Sequence, residues 1–358
     1  MKNKVFFQLV DTLSMGGAER MSVNIAGAME EDGWESHLVV SRSGGGLEAH
    51  LPSGVNVHLL NKSTFYDLGA FYNLIKLFRK HRPLILHAHS TSIYWAVLLK
   101  IVVGDFHLIW HDHFGLSDQL DKYPRKDIVV LSKWIDRIIV VNEKLKDYWR
   151  NLIPYRKEDI TYIGNFPWLN LPEKTKCELF TFLNLANLRP QKDQITLLKA
   201  CKILVDQDRK FKVQLVGEYV DQEWTNQVKD TLVDLNLEGF VELVGPVSEV
   251  SLCLAKAHAG ILSSESEGLP VALLEYGLAG LPVICTQVGD CPKVLSSPDL
   301  GILVPKSSPE ELALAMDRLL SDYSSNKLMG EKLQEKIIRE YGKGNFLDSY
   351  YKIIPTTT

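Results

Sequence analysis

The chain has 358 residues, of which 46% are hydrophobic and 23% are charged, and its formal net charge is −4. This composition is typical of a globular protein, and the length predicts two domains because single cores rarely exceed about 250–300 residues. The weak negative charge argues against nucleic-acid binding. The most apolar long stretch, "IYWAVLLKIVVGDFHLIW", contains Lys100, Gly104 and Asp105, and these residues interrupt it too much for a membrane span.

The cysteines are five in number and none of them forms a pair with the spacing of metal ligands. An odd count without close pairs indicates reduced thiols in a reducing compartment. The sequence therefore predicts a cytoplasmic protein.

Short apolar runs alternate with amphipathic segments along the first half of the chain. Strands are predicted at "KVFFQLV", "HLVVS", "VNVHLL", "LILHAHS", "HLIWHDH" and "DRIIVVN", and helices at 18–29 and around 71–78. Such βα alternation predicts a parallel sheet covered by helices, in an α/β domain of residues 1–165.

The alternation weakens at 164–178, a proline-containing segment that we interpret as a linker, and then restarts. The second half predicts strands at "LFTFLNLA", "FKVQLVG", "VELVG", "AGILSS" and "PVICT", and helices at "DQITLLKACKILVD" and "SPEELALAMDRLL". Ser308 is the expected N-cap of the last of these helices, with Pro309 at its first position. Two Rossmann-like domains are expected, 1–165 and 166–340, with a helix in 341–358 that packs back on the first.

The segment "DTLSMGGAER" places Gly16 and Gly17 between the first strand and the first helix. Two glycines let the backbone approach a ligand closely, and the free amides of a helix start attract anions. A tight turn between strand and helix explains the same residues, so the segment alone leaves both interpretations open.

Two predicted strands end in histidines, namely His87 with His89, and His111 with His113 around Asp112. Ligands of open parallel sheets bind beyond the carboxyl ends of the strands. A metal site is the weaker alternative, because His87 and His89 share one strand face, His111 comes from another strand, and the region has no His-x-x-x-His spacing.

In "ANLRPQKDQITLLKA", Arg189 and Lys192 lie where a strand gives way to a helix. Cations next to a helix N-terminus suit a diphosphate. A solvated basic loop is the alternative.

The segment "SSESEGLPVALLEYGLAGLPVICTQVG" holds Glu267 and Glu275 with seven residues between them. Pro270 fits the first turn of a helix that runs to about Ala279. Carboxylates repel phosphate but accept strong hydrogen bonds from hydroxyls, so sugar or ribose hydroxyls are the natural ligands. The alternative places Glu267 at the helix start to interact with the helix dipole and Glu275 on the surface. The apolar neighbours of Glu275 argue against a fully exposed position.

These segments together resemble the retaining, nucleotide-sugar-dependent glycosyltransferases of the GT-B fold, family 4, of the kind that builds bacterial surface polysaccharides. The resemblance covers nearly the whole chain. It is carried by "GGAER", "LHAHS", "WHD", "YIGNFPWLNLP", "NLRPQKD", "LVGEY", "VELVGPV" and, most specifically, the segment with the two glutamates.

The resemblance implies two Rossmann-like domains that face each other across a cleft, the first for the acceptor and the second for the nucleotide sugar. Glu275 would bind the ribose, Glu267 would hold hydroxyls of the transferred sugar, and Lys192 would neutralise the diphosphate with the help of Arg189. His111 would contribute to catalysis near the transferred sugar.

The remaining implied contacts involve mainly backbone. They are Gly16, Gly17 and His89 on the first domain, Asn187, Val244 and Gly245 around the phosphate and base, and Gly268, Leu269, Pro270, Val271 and Ala272 at the start of the helix.

Two positions depart from the family pattern. Asn187 stands where a phosphate-binding arginine is usual, and Arg189 could replace it if the strand continues and both residues share a face. Lys293 stands where an acidic residue is common, which would change the shape of the base or sugar pocket.

The expected reaction is transfer of a hexosyl group, with retention, from a nucleotide sugar to a hydroxyl of a glycan or polyprenyl-diphosphate-linked acceptor. UDP is expected over GDP because it is common in this family. No cofactor and no metal are expected. An epimerase or isomerase of the same architecture and a non-catalytic sugar-nucleotide-binding subunit are the alternatives.

A weak contact with the inner face of the membrane is a further expectation. Phe71, Leu74, Ile75 and Phe78 share one face of a predicted helix, and Lys76, Arg79 and Lys80 share another. Such a helix could meet anionic lipid. A helix packed on the core with a solvated basic face explains the pattern equally well.

Overall fold

The computed structural model describes residues 4–14, 16–115, 120, 122, 124–175 and 177–355, without the side chains of 323–325. It divides into two compact units. Unit 1 comprises Met1–Phe166 and Lys343–Thr358, and unit 2 comprises Pro167–Gly342. The boundaries between the two units lie within one or two residues of the domain boundaries expected from the sequence.

Unit 1 is built on a sheet of seven parallel strands in the order β3-β2-β1-β4-β5-β6-β7. The strands are β1 Val5–Thr12, β2 Glu35–Ser43, β3 Asn56–Leu59, β4 Ile85–His89, β5 His107–Asp112, β6 Arg137–Val140 and β7 Ile160–Tyr162. The central strands β1, β4 and β5 are almost entirely buried, because helices cover both faces of a parallel sheet.

The helices of unit 1 connect these strands and carry apolar residues toward the sheet. They are α1 Gly17–Glu31, α2 Leu68–His81, α3 Ile93–Val103, α4 Lys126–Leu131, α5 Glu143–Leu152 and, at the end of the chain, α13 Lys343–Tyr351. Helix α13 belongs to unit 1, where the Phe346 ring lies 4.7 Å from the Phe166 ring.

Unit 2 repeats the plan with six parallel strands in the order β10-β9-β8-β11-β12-β13. The strands are β8 Thr181–Leu185, β9 Lys212–Val216, β10 Val241–Gly245, β11 Ala259–Leu262, β12 Val283–Thr286 and β13 Ile302–Val304. The helices are α6 Gln194–Asp206, α7 Gln222–Asp234, α8 Val250–Lys256, α9 Val271–Leu278, α10 Cys291–Val294, α11 Pro309–Ser321 and α12 Tyr323–Glu340.

The predicted α/β class with two parallel sheets is confirmed, and every strand named from the sequence is present. The prediction that the Ser308 side chain caps α11 is wrong. Ser308 occupies the N-cap position, but its hydroxyl donates to the carbonyl of Lys306 (3.2 Å) instead of accepting from a helix amide.

Helix α2 packs its apolar face on the core. Leu74 and Phe78 are buried and the Phe78 ring lies 4.9 Å from that of Phe7, whereas Lys76, Arg79 and Lys80 are exposed. The apolar face is therefore not available to lipid. Among the described residues, no helix combines the length and the hydropathy needed to cross a membrane.

Candidate functional site

Two loops meet at the carboxyl end of the unit 2 sheet. One follows β8 and contains the 3-10 turn Pro190–Lys192, and the other runs from the end of β11 to the start of α9. Gln191 joins them twice, because its carbonyl accepts from the amide of Glu265 (2.9 Å) and its side chain donates to the carbonyl of Ser266 (2.8 Å). The hydroxyl of Ser263 donates to the carbonyl of Lys192 (3.0 Å). The two loops are thus held as one rigid surface.

Lys192 and Glu267 form an ion pair on this surface. The Lys192 Nζ lies 2.5 Å from Oε1 of Glu267, and the side chains are 13% and 6% exposed. The same oxygen accepts from the hydroxyl of Ser264 (2.6 Å), which itself is buried. The sequence predicted both charged residues at the site, and the structure adds that they are paired.

Glu275 lies in the second turn of α9 and is buried. The interpretation of Glu275 as a surface residue is therefore wrong. Its neighbour Tyr276 is fully buried. The Tyr276 hydroxyl donates to the carbonyl of Ile261 on β11 (3.4 Å) and accepts from the amide of Leu185 on β8 (2.6 Å). Helix α9 is thereby fixed against β8 and β11, which sets the direction of Glu275.

The backbone of 267–272 leads into α9. Gly268, Leu269 and Pro270 are buried, α9 begins at Val271, and Ala272 is half-buried. Gly289 closes this segment from the other side, because a Cβ there would lie 2.3 Å from the carbonyl oxygen of Glu267, and its φ of +52° also favours glycine.

The structure does not bring together the two positions expected to contact the phosphate, Asn187 and Arg189. Strand β8 ends at Leu185, so the strand alternation that would align Arg189 with Asn187 does not extend that far. Asn187 accepts from the amide of Glu218 (3.0 Å) and so has a structural role in this conformation, while Arg189 is exposed.

The remaining expected positions of unit 2 lie on or near its strands. Val244 and Gly245 end β10, where Gly245 has a φ of +77°. Lys293 forms an ion pair with Asp290 (2.8 Å) at the start of α10. The departure from the family pattern at Lys293 is thus compensated locally.

In unit 1, histidines at the carboxyl ends of β4 and β5 form two short hydrogen-bonded chains. His89 Nε2 lies 2.7 Å from the side-chain oxygen of Gln8, whose amide group donates to the carbonyl of Ser22. That oxygen can only accept, so His89 carries its proton on Nε2. Its Nδ1 must then accept from Nε2 of His113 (3.0 Å).

A second pair of contacts continues from His87. Its Nε2 lies 3.2 Å from Nδ1 of His111, and its Nδ1 lies 2.9 Å from the hydroxyl of Tyr350 on α13. The Nε2 of His111 is buried and has no hydrogen-bond partner among the described residues. A buried ring nitrogen in this state is suited to receive a ligand hydroxyl.

Burial lowers the pKa of His87, His89 and His111 well below the usual range, and the neighbouring histidines lower it further. The three side chains are therefore neutral at physiological pH. Asp112, by contrast, is satisfied by Arg125 (2.5 Å) and by the indole of Trp149 (2.8 Å), so it supports the fold.

Gly16 and Gly17 lie at the start of α1, with Gly16 at the N-cap. A Cβ on Gly17 would meet no described atom within 4 Å, whereas one on Gly16 would lie 2.2 Å from the Glu19 carboxylate, so the space beside Gly17 is open and that beside Gly16 is filled. Met15, between this pair and β1, lies outside the described residues.

Several functional neighbours could not be recognised from the sequence. Gln8 lies inside an apolar strand pattern, Ser264 is one of several serines in its loop, and Tyr350 is more than 230 residues from the histidines. Only tertiary packing brings them to the sites. The pattern of His87 and His89 on one strand face was the one available signal for a shared cluster.

The described geometry offers two kinds of chemistry. Unit 2 presents a lysine, a buried carboxylate pair and a helix start, which suit an anionic ligand that also carries hydroxyls. Unit 1 presents neutral imidazoles, which suit hydrogen bonding rather than charge neutralisation.

Comparisons with known protein families divide the chain near the boundary between the two units. The family model "Glycosyltransferase Family 4" matches residues 15–166, and "Glycosyl transferases group 1" matches residues 172–336. The chain belongs to the glycosyltransferases of the GT-B fold and the family 4 type, and the predicted resemblance is confirmed.

Individual relatives are distant but similar over nearly the full length. An uncharacterized glycosyltransferase of Haemophilus influenzae is 23% identical, covering 94% of this chain and 98% of that protein. The UDP-Gal:alpha-D-GlcNAc-diphosphoundecaprenol alpha-1,3-galactosyltransferase of Escherichia coli is 24% identical, covering 93% and 92%. The crystal structure of Anabaena Alr3699/HepE in complex with UDP and glucose has a TM-score of 0.78 at 18% identity, covering 98% of each chain.

Proposed function

We propose that this glycosyltransferase moves a hexosyl group from a UDP-linked sugar to a hydroxyl of a lipid-linked or glycan acceptor, with retained configuration, in the synthesis of a bacterial surface polysaccharide. The observation that carries the proposal is the pairing of buried Glu267 with Lys192 beside the start of α9, which also carries buried Glu275. The UDP in the Anabaena complex and the UDP-Gal in the name of the Escherichia coli relative support the choice of nucleotide.

The proposed roles follow from the charges. Glu275 would accept from the ribose hydroxyls and Glu267 from hydroxyls of the sugar, since ionised carboxylates are strong acceptors. Lys192, Arg189 and the first amides of α9 would stabilise the diphosphate as it leaves. Because Lys192 also holds Glu267, the group that stabilises the leaving charge and the group that positions the sugar are coupled.

The proposed mechanism needs no separate base. As the bond from the anomeric carbon to the diphosphate oxygen breaks, the acceptor hydroxyl oxygen bonds to the same face of that carbon. The acceptor proton passes to an oxygen of the leaving diphosphate. His111 would hydrogen-bond the sugar through Nε2 and does not have to change its protonation state.

A thermal-shift panel tests the donor. UDP, GDP and their glucose, galactose and N-acetylglucosamine derivatives would each be added to the full chain, because a ligand that binds only the folded state raises the unfolding temperature. We expect the largest rise in unfolding temperature with a UDP-sugar, and a smaller rise with the same ligand in Glu275→Gln. A larger rise with GDP would refute the choice of base.

Product analysis of the donor after incubation with and without acceptor separates the alternatives. A new sugar nucleotide formed without any acceptor would indicate an epimerase or isomerase. Tight binding of the donor without transfer to any acceptor, and without slow hydrolysis of the donor, would indicate a binding subunit.

Metal independence is part of the proposal. Among the described residues, the clusters of three or more converging histidine, cysteine or acidic side chains both lie in unit 1, and neither contains Glu267 or Glu275. We expect turnover to survive excess EDTA. Loss of activity that magnesium or manganese restores would contradict this.

The acceptor is proposed to approach unit 1. A cavity of about 340 Å³ there is lined by residues that include Ser90, Tyr94, Phe114 and Arg125. Its lining also includes Asp127, which accepts a hydrogen bond from the Tyr94 hydroxyl. This mixture of aromatic, hydroxyl and charged groups suits the hydroxyls of a sugar. Arg125 itself supports the fold through Asp112, so Tyr94→Phe is the cleaner variant, and we expect it to raise the KM for the acceptor but not for the donor.

Weak membrane attachment is proposed through the exposed side of α2. Lys76, Arg79 and Lys80 are exposed there, and Tyr66 and Leu68 lie at its start with 82% and 79% of their surface accessible. Lys76 lies over the ring of exposed Tyr72 (4.9 Å), and cations beside exposed apolar side chains favour an anionic lipid surface. Flotation with anionic and neutral liposomes should separate wild type from a Lys76/Arg79/Lys80 neutral variant, and equal flotation would remove the proposal.

A further inference from the structure

A second cluster of titratable side chains lies on β2 of the unit 1 sheet, which β1 separates from β4. Glu35 and His37 are two residues apart on β2, so both side chains lie on the same face of the sheet. His81 is the last residue of α2, which packs on that face. The three residues have no role in the proposed transfer reaction.

Their ligand atoms converge on a single point. His37 Nε2 lies 2.9 Å from Oε1 of Glu35, and His81 Nδ1 lies 3.3 Å from the same oxygen. The three atoms all lie within 4.8 Å of one another. In a tetrahedral zinc site with bonds of about 2.0–2.1 Å, ligand atoms are about 3.3–3.4 Å apart, so only small movements are needed.

A second histidine supports the first. His37 Nδ1 lies 2.8 Å from Nε2 of His58 on the neighbouring strand β3, and the His37 ring is stacked on Phe7 with centroids 4.3 Å apart. Histidines that bind metals usually donate from their other ring nitrogen to such a partner, which fixes the ring and the tautomer. With a cation on Nε2, His37 Nδ1 would donate to His58, and both rings would remain neutral.

The cluster is also accessible. The side chain of Glu35 is 42% exposed and that of His81 is 18% exposed, whereas His37 is buried. A hydrated cation can therefore reach the cluster from solvent, and water can complete its coordination. Lys80 lies nearby and opposes a cation, but the carboxylate of Glu35 offsets that charge.

The buried cluster of His87, His89 and His111 compares poorly as a metal site. Both ring nitrogens of His87 and of His89 are already used in hydrogen bonds to Tyr350, His111, His113 and Gln8. A metal there would have to break this network.

We propose that Glu35, His37 and His81 form a binding site for a late first-row divalent cation such as Zn²⁺, which ties the end of α2 to β2. Two imidazoles and one carboxylate are a ligand set that favours zinc over magnesium or calcium, because the latter prefer oxygen ligands. The site would stabilise unit 1 and is separate from the transfer chemistry of unit 2.

The test uses the full chain after removal of metals with EDTA and dialysis. Calorimetric titration and thermal unfolding would be measured with ZnCl₂ and, as the negative control, with MgCl₂. The variants are Glu35→Gln and His81→Gln. His107→Gln is the matched control, because His107 is also 18% exposed and lies near one carboxylate, Asp136 (3.9 Å), but belongs to no cluster of converging ligands among the described residues.

We expect wild type and His107→Gln to bind one Zn²⁺ per chain and to gain unfolding temperature with zinc but not with magnesium. Glu35→Gln and His81→Gln should each bind zinc at least about tenfold more weakly. If His81→Gln unfolds without metal, Glu35→Gln gives the same comparison at a more exposed position.

Equal zinc affinity in wild type and in both variants would overturn the proposal, and so would the lack of stoichiometric binding by wild type. Binding that survives both variants but disappears in His89→Gln would place the metal in the buried cluster, which also overturns it. Activity in EDTA is measured in parallel, so that failure of the zinc site and failure of the transfer reaction remain distinguishable.

Discussion

The two units bury their polar groups in opposite ways at the same place in the same architecture. Unit 1 collects neutral imidazoles at the carboxyl ends of β4 and β5, whereas unit 2 collects a lysine and a carboxylate in the loops beyond β8 and β11. A neutral network needs only satisfied hydrogen bonds, while a buried ion pair must offset the desolvation of two charges. The first is therefore sensitive to protonation, and the second to the loss of one partner.

The distribution of histidine sharpens this contrast. The chain has ten histidines, and His258 is the only one that follows residue 166. Burial lowers the pKa of several of those in unit 1, including His37 on β2 and His107 on β5. Acid should consequently affect the two units differently.

The largest expected effect is a loss of stability of unit 1 below pH 6.5. The unfolded chain protonates its histidines near pH 6.5, but His87, His89 and His111 stay neutral when folded because their pKa values are lowered. The unfolded state therefore binds more protons as the pH falls. Each histidine removes about 2 kcal/mol by pH 5, or up to about 6 kcal/mol for the three.

Hydrogen exchange measured by mass spectrometry on the full chain would follow both units at once, after correction for the intrinsic exchange rate. Peptides of β1, β4 and β5 should lose protection between pH 7 and 5, and peptides of β8 and β11 should lose much less. In unit 2, burial raises the pKa of Asp193, which acts in the opposite direction as the pH falls. Equal losses in both units would contradict the comparison.

The second prediction breaks the ion pair of unit 2. Lys192→Met leaves the carboxylate of Glu267 buried without its counter-ion, which should cost about 3–5 kcal/mol of unfolding free energy. The double variant Lys192→Met/Glu267→Gln removes both charges and should recover most of this loss. Urea denaturation of the wild type, both single variants and the double variant measures the coupling. An additive double variant would show that the pair contributes no net interaction.

The strands and helices of this fold were predictable because runs of apolar residues in the sequence mark the segments that are buried. Apolar runs such as "KVFFQLV" and "AGILSS" correspond to buried strands, and the parallel sheets follow from their alternation with helices. The pairing of Lys192 with Glu267 was not predictable, since 75 residues separate them and neither spacing nor composition indicates contact. The same holds for Tyr350, which reaches His87 only because α13 packs in unit 1.

The third prediction separates the two glutamates. Glu275→Gln should weaken UDP binding about ten- to a hundredfold, because a hydrogen bond to a charged group contributes about 1.5–3 kcal/mol. Glu267→Gln should change UDP affinity little, since UDP lacks the sugar, but should lower kcat through lost contact with the sugar in the transition state.

Calorimetry with UDP and steady-state kinetics with the complete donor measure these two effects. The reverse pattern would exchange the two assignments. Wild-type behaviour of both variants would make the pair structural and would remove the basis of the proposed function. The urea curve of Glu267→Gln, already needed for the double variant, shows whether altered folding accounts for a lower kcat.

The smallest expected effect concerns Tyr350, which lies at one end of the histidine network of unit 1. Tyr350→Phe removes the hydroxyl that bonds to His87 Nδ1 (2.9 Å) and leaves that buried nitrogen without a partner, at a cost of about 1–3 kcal/mol. The matched control is Tyr351→Phe on the next position of α13. Tyr351 is only half-buried, and its partner Asp32 is exposed and can bond to water, whereas its other partner Trp34 is buried. This variant should therefore cost less. Urea denaturation at pH 7.5 compares the two. A larger loss of stability in Tyr351→Phe would contradict this prediction. The stability of α13 would then depend more on the contacts of Tyr351 than on the hydrogen bond from Tyr350 to His87.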